Sequence, residues 1–346
     1  MNTSKMLEKL SGIMSISGSE RRGENEVREL LAPYFDKFEV TNTGSYVLTK
    51  YSKDQNAPTV LIDAHFDEIG MFVKEITEEG FLRITNVGGI DSRIMPASRV
   101  LIYGKKVICG VVVSTPPHLQ KPDESKKLPE FRSLLIDTGY SAEKLNEIVR
   151  IGTPIGFATE YTELQDGHAA GHGFDNKACA VAAVKAAEML SMTRSDFNIA
   201  VLLSSFEEIG GVGAATALAK IDPDVAFVLD VNLAQEEDVP KHRTVEIGKG
   251  PAISYSTVTH RSLVDSIVSF AKNNNLNYQT IAEARGTGTN ADIISTSLCG
   301  IPTAVISVPL RNMHTPNEVV SLKDIDDTAC LLAKYIGEEM PKWMKD

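Results

Sequence analysis

The sequence predicts an α/β fold interrupted by a small all-β domain. Two observations carry this: helix-like and strand-like segments alternate at βαβ spacing both before residue 70 and again from Asp175 onward, and between them the pattern changes to short β-branched runs separated by Gly, Pro and charged turns. The predicted division is 1–69 plus 160–346 for the α/β domain and 70–159 for the insert.

Taken in order, Arg22 to Phe35 places Val27, Leu30, Leu31 and Tyr34 at helical spacing after a Ser-Gly-Ser opening suited to a cap, which predicts an amphipathic helix. Phe38 to Tyr51 is rich in β-branched and aromatic residues around a Gly44-Ser45 turn. Thr59 to His65 reads as a buried strand ending in polar residues, and open α/β sheets collect their chemistry at such carboxyl ends. Inside the insert, the runs from Gly80, Arg99–Tyr103 and Val107–Val113 read as strands. Lys121 to Glu130, charged and holding two prolines, reads as an exposed loop. From Asp175 an Ala-rich helix to Leu190 is followed by a strand Asn198–Ser205, a helix from about Gly211 to Lys220 and a strand Ala226–Asp230. A helix near Ser262–Lys272, a strand Pro302–Val308 and a helix near Ile325–Glu339 complete the pattern.

At 346 residues the chain has room for about two domains at roughly 150 residues each. With 42% hydrophobic and 23% charged residues it is globular in composition. Lys+Arg 35 against Asp+Glu 46 leaves a net charge of −11, which argues against nucleic acid or an anionic membrane as a partner. Cys109, Cys179, Cys299 and Cys330 lie far apart without paired spacing, so neither a zinc ribbon nor a disulfide framework is expected and a reducing cytoplasm fits. Charges interrupt the N-terminal residues, and no apolar run approaches the roughly 20 residues of a membrane span. Secretion and membrane insertion are therefore not expected.

Five stretches concentrate His, Asp and Glu beside strand ends: Asp63 to Glu68, Gly173 to Lys177, Ser205 to Ile209, Val228 to Val231 and Asn312 to Pro316. Imidazole with carboxylate is the donor set of zinc, cobalt or manganese in hydrolytic sites. Two His and three carboxylates can hold two ions when one carboxylate is shared, and ions roughly 3.5–4 Å apart can acidify a water and polarise a carbonyl. The Glu207-Glu208 pair offers one carboxylate for metal and one to accept a proton. Asp67, two residues past His65 on an extended segment, projects from the same side and can fix the imidazole tautomer.

Other chemistry is weaker in the sequence. His168 and His172 stand four apart, but their glycine-rich segment disfavours a helix and lacks the Glu of a zincin motif. His118 lies in the insert and suits a turn or an interface. Gly286-Thr-Gly288 is too short for a phosphate loop, and Ser204-Ser205 lacks the glycines of a nucleophile elbow. Cys179 has no legible His or Asn partner and reads as a buried small side chain.

The ordered motifs Ala64-His-Phe-Asp-Glu-Ile-Gly70, Gly173-Phe-Asp-Asn-Lys177, Glu207-Glu-Ile-Gly210, Leu229-Asp230 and Arg311-Asn-Met-His-Thr-Pro316 resemble those of the tetrahedral and glutamyl aminopeptidases, metallopeptidase family 42. The likeness runs over nearly the whole chain, from Ile16-Ser-Gly-Ser-Glu20 through Gly248-Lys-Gly-Pro-Ala252. It implies a zinc-exopeptidase-like αβα catalytic domain with an inserted PDZ-like β-barrel that mediates dimerisation, and assembly as a homo-oligomer such as a tetrahedral dodecamer. It also implies two divalent ions per subunit, zinc, cobalt or manganese, one held by His65, Asp175 and Asp230 and the other by Asp175, Glu208 and His314, with Asp175 bridging. Glu207 would be the general base and Asp67 the orienting residue. The sequence departs from the family in two places: Gly288-Thr-Asn290-Ala replaces Gly-Thr-Asp-Ala, and Gly210 to Gly213 lacks a basic residue often found there.

The implied function is removal of N-terminal residues from peptides with a free N-terminus. The same metal chemistry on an acylated peptide or another small amide, a metal-independent endoglucanase using two carboxylates, and an inert metal-stabilised assembly protein are the alternatives.

Overall fold

The computed structural model describes residues 1–54, 56–113, 130–192, 196–237, 239–284 and 286–345. His118 and all of the expected 121–130 loop except Glu130 lie outside them.

The chain opens with α1 (Thr3–Ser11), whose N-cap Asn2 accepts from the Lys5 N–H. The predicted Arg22–Phe35 helix is shorter: α2 spans Glu24–Leu31 between two single 3₁₀ turns, the second containing Pro33, whose ring cannot continue an α-helix. A hairpin of β1 (Lys37–Val40) and β2 (Tyr46–Lys50) follows, then β3 (Thr59–His65). The next strands, β4 (Gly70–Ile76), β5 (Phe81–Val87), β6 (Arg99–Tyr103), β7 (Val107–Val113), β8 (Leu135–Asp137) and β9 (Pro154–Phe157), close on themselves in the order β4-β5-β8-β7-β6-β9. This barrel has its own core, including Met71, Val100, Ile102, Ile136 and Ile155, and carries α3 (Ala142–Ile148). Closure removes the unpaired edges that such short strands would otherwise present.

The chain then returns to the first sheet through β10 (Thr162–Glu163), β11 (His168–Gly171), α4 (Phe174–Met192), β12 (Asn198–Ser204), α5 (Val212–Ile221) and β13 (Val225–Leu233). It ends with β14 (Ala252–Ser256), α6 (Arg261–Asn273), β15 (Gln279–Glu283), α7 (Ala291–Ile294), β16 (Thr303–Arg311), β17 (Glu318–Ser321), α8 (Leu322–Glu338) and the short α9 (Met340–Trp343). The sheet order is β1-β2-β12-β3-β13-β16-β17-β11-β10, with β14 and β15 attached at β16. β12, β3, β13 and β16 run parallel, so their carboxyl ends share one edge.

Alternation of side chains along these strands explains the layers. Val60, Ile62 and Ala64 of β3 and Val225, Phe227 and Leu229 of β13 face α4, α6 and α8, while Leu61, Leu202, Ala226 and Val228 face α5 and α7. With both faces covered, the strands read as continuous apolar runs. α4 is apolar nearly all round because it lies between the sheet and α8, and its alanines allow close approach. β13 runs three residues past the predicted end at Asp230, because β16 keeps pairing with it as far as Leu233. No helix among the described residues is long and apolar enough to cross a membrane.

Candidate metal centre

The shared carboxyl edge gathers the five motif stretches. His65 ends β3, and the chain leaves β12 into Glu207 and Glu208. Asp230 lies within β13, His314 follows β16, and Asp175 sits at the start of α4. One donor atom each from His65, Asp175 and Asp230 lies within 4.8 Å of the others, and Asp175, Glu208 and His314 form a second such group sharing Asp175.

The backbone at each corner is irregular in ways that aim the side chains. After β12, Phe206 is left-handed (φ 62°), a conformation that needs external support in a non-glycine residue. Support comes from two buried acids: Glu20 accepts the Phe206 N–H at 3.2 Å, and the two oxygens of Asp67 accept the Glu207 and Glu208 N–H groups at 3.0 and 3.2 Å. Three successive N–H groups thus point at carboxylates, a nest-like turn. Ser17 donates a further hydrogen bond to Asp67. The turn closes at Gly211 (φ 69°), where a β-carbon would stand 2.4 Å from Ile293. Gly173 (φ 64°) plays the same part before Asp175: a β-carbon there would stand 2.3 Å from the Glu68 carboxylate.

From this turn Glu207 and Glu208 reach different imidazoles, with Glu207 Oε2 3.9 Å from His65 Nε2 and Glu208 Oε1 3.3 Å from His314 Nε2. Asp175 faces both: Oδ1 is 3.0 Å from His65 Nε2 and Oδ2 is 3.3 Å from His314 Nε2. Asp230 Oδ1 lies 3.7 Å from His65 Nε2. His65 Nδ1 is 2.9 Å from the Asp67 carbonyl, whereas the Asp67 carboxylate is 3.7 Å away. The ring is therefore held by the backbone of Asp67, and the side chain expected to orient it is turned to the Glu207-Glu208 backbone instead. A carbonyl only accepts, so Nδ1 carries a hydrogen and Nε2 is the nitrogen facing the acids. Burial of the ring is outweighed by Glu207, Asp175 and Asp230, which raise His65 well above its usual value, so without a cation Nε2 is protonated too and donates to Asp175.

The electrostatics favour cations. Four carboxylates, Asp175, Glu207, Glu208 and Asp230, converge on two imidazoles, and among the described residues no Lys or Arg pairs with any of them. Burial, with repulsion from Asp230, Glu208 and Asp175, pushes the Glu207 carboxyl up to about 8 against the lowering influence of His65. Burial likewise raises Glu208 and Asp230. Asp175 is held below its usual range because hydrogen bonds from His314 and His65 outweigh its burial. His314 is pushed up to about 11 by its hydrogen bonds to Asp175 and Glu208. Such a cluster meets its unbalanced charge by taking up protons or by taking up divalent cations, and its N/O donor set suits zinc, cobalt or manganese. The residues therefore fit a dimetal site.

The cluster opens into a cleft of about 460 Å³, also lined by Asn232, Glu283, Thr287, Thr289 and Met313. A larger surface hollow of about 830 Å³ beside α1 and α2 shares no residue with it. Beneath the cleft, Asn290 donates to Asp63 at 2.9 Å and to Ser204 at 2.8 Å, and Asp292 accepts from the Thr287 N–H at 2.7 Å.

The other candidates stand apart. His168 lies on β11, and His172 Nδ1 sits 2.7 Å from the Thr159 carbonyl; among the described residues neither joins a donor group. Cys179 is buried, its thiol is pushed well up by burial and by Asp230, and it donates to the Asp230 carbonyl, which excludes a thiolate nucleophile. Ser205 is held by Ser45 and Thr43. Sequence reasoning missed Glu20, Ser17 and Glu318 as supports of the site. The one available signal for Glu318 was an acid opening the otherwise apolar strand Glu318-Val-Val.

Residues 44–331 match the family model described as M42 glutamyl aminopeptidase. A lysyl aminopeptidase of Pyrococcus furiosus is 31% identical over 342 residues, covering 97% of each chain. Among solved structures, a TET aminopeptidase from a marine sediment Thaumarchaeota archaeon superposes with a TM-score of 0.92 at 30% identity, covering 97% of this chain and 96% of that one. A Pyrococcus horikoshii TET1 peptidase, described as able to assemble into a tetrahedron or a large octahedral shell, superposes with a TM-score of 0.84 at 27% identity, covering 97% of this chain and 100% of that one.

Proposed function

The chain belongs to the M42 glutamyl aminopeptidase family, and from that premise we propose that it removes N-terminal residues from peptides at a dimetal centre whose donors are His65, Asp175 and Asp230 for one ion and Asp175, Glu208 and His314 for the other. The observation that carries the assignment is the pair of donor groups sharing Asp175, with the adjacent Glu207 left outside both.

Two divalent ions at such a site supply Lewis acidity, polarising a scissile carbonyl and bringing water toward ionisation at neutral pH. The chain's own groups do the rest. Glu207 accepts the proton of the attacking water and returns it to the leaving amine, a role suited to a carboxyl whose burial raises its proton affinity. Asp67 fixes the backbone of Glu207 and Glu208, and its carbonyl fixes the tautomer of His65. The acidic lining of the cleft favours a substrate that presents an ammonium group, which supports free-amine peptides over N-acylated ones.

The finer reading is zinc or cobalt as the resident ion, with manganese as a further candidate, and a cytoplasmic location, supported by four free cysteines. We assign assembly as a tetrahedral dodecamer with dimer contacts through the barrel, supported by the exposed apolar side chains Val107, Val111 and Ile151 on its surface. The test is a panel of aminoacyl-chromophore substrates and their N-blocked counterparts on metal-stripped protein restored with each ion separately. Turnover of free-amine substrates only, dependent on added ion, is expected. Chelator-resistant turnover, or equal turnover of blocked substrates, contradicts the proposal.

A further inference from the structure

Asp175 and His314 come from distant parts of the chain and both depart from regular backbone. Asp175 stands in the first turn of α4 with ψ 100°, and His314 is left-handed with φ 59°. Neither position has a helix or strand partner for its N–H: Asp175 is a first-turn amide of a helix, and His314 lies in the turn between β16 and β17. A single buried side chain takes both: Glu318, 1% exposed, accepts the Asp175 N–H on Oε2 at 3.1 Å and the His314 N–H on Oε1 at 3.0 Å. Its backbone opens β17 and pairs with Gly171 of β11, which leads through Gly173 into Asp175.

We propose that Glu318 is a positioning residue that locks Asp175 and His314 to each other and thereby sets the affinity for the ion these two would share with Glu208. This inference rests on the dimetal reading above and extends it. A carboxylate is a costly way to satisfy two amides, because it stands among acids already in surplus, and among the described residues no Lys or Arg pairs with it. The cost makes sense where two acceptor oxygens must be held at one fixed spacing. His65 and Asp230 lie on β3 and β13 and are held without Glu318. Glu318 holds two of the three donors of the Asp175–Glu208–His314 position and only the shared Asp175 of the other, so the effect should fall more heavily on the former.

Glu318→Gln keeps the shape but leaves one acceptor oxygen, and its NH₂ end meets an N–H. The experiment is a cobalt titration of the metal-free wild type and of E318Q, read by visible absorption and by direct elemental analysis, with thermal melting alongside. The expected result is two ions bound per chain in both proteins, one weakened about 10–100-fold and the other distinctly less. Turnover of E318Q should recover toward the wild-type kcat as free cobalt is raised. Superimposable titrations, or equal weakening of both ions, overturn the inference, since a purely structural role lowers the melting temperature without separating the two sites. A wild type that binds no pair of ions overturns the dimetal reading itself. Should E318Q fail to fold, hydrogen exchange in metal-free wild type decides: slow exchange at the Asp175 and His314 amides is expected, and exchange at the rate of an open loop contradicts it.

Discussion

Glu207→Gln separates chemistry from metal binding and from folding in one substitution. The amide is isosteric, and the Glu207 N–H stays bonded to Asp67 because only the side chain changes. Glu207 lies outside both donor groups, so ion content should stay at the wild-type level. Loss of a general base lowers turnover by roughly 10²–10⁴-fold, about 3–5 kcal/mol of transition-state stabilisation. Stability of the metal-free protein should move the other way. The native carboxyl holds its proton up to about 8, against an ordinary value of 4.5, so the fold loses stability as pH rises through that window. The amide does not ionise and escapes this loss, whose ceiling is about 5 kcal/mol, so the metal-free variant should melt above wild type at pH 8 and near it at pH 4.5. Steady-state kinetics on an aminoacyl chromophore, elemental analysis and melting curves at the two pH values read all three effects. Turnover within tenfold of wild type would remove Glu207 as the base, and loss of an ion would move it into the donor set.

Asp67→Asn leaves one acceptor where two amides are now bound, so the Glu207-Glu208 turn should loosen at a cost of about 1.5–3 kcal/mol. A fall in melting temperature with a roughly hundredfold fall in kcat checks this, whereas an unchanged kcat would leave the bracket structural only. Asn290→Asp sets a second acid beside Asp63, whose carboxyl burial already pushes up to about 7, with its hydrogen bonds to Asn290 and Ser204 opposing. A raised carboxyl loses stability as pH climbs from its unfolded value, and a neighbouring acid prolongs that loss. The variant should therefore fall further below wild type in melting temperature at pH 8 than at pH 5, and equal deficits would refute the pairing.

The strands and helices that build the catalytic edge were legible because each is long and strongly patterned: Thr59–His65, Asn198–Ser204 and the helix from Phe174 to Met192 stand close to their predicted bounds. α1, β4, β8, β9, β14 and β17 were not individually legible, because short segments of mixed polarity owe their form to pairing and closure. At the site, residue types with metal chemistry could be named from sequence, and the fold brings them together. What could not be read was which backbone amides the buried acids hold. Asp67 illustrates this, since spacing places it beside His65 but only the three-dimensional turn after Ser204 shows its carboxylate capping Glu207 and Glu208. The roles of Glu318 and Glu20 were not legible for the same reason: each accepts from a main-chain group far away in sequence, Asp175 for Glu318 and Phe206 for Glu20.

The most direct test is diffraction from crystals grown with cobalt, with data collected at the cobalt absorption edge. Two anomalous peaks roughly 3.5–4 Å apart on either side of Asp175 are expected, one against His65 and Asp230 and the other against Glu208 and His314. A single peak, or peaks away from these side chains, would contradict the dimetal account.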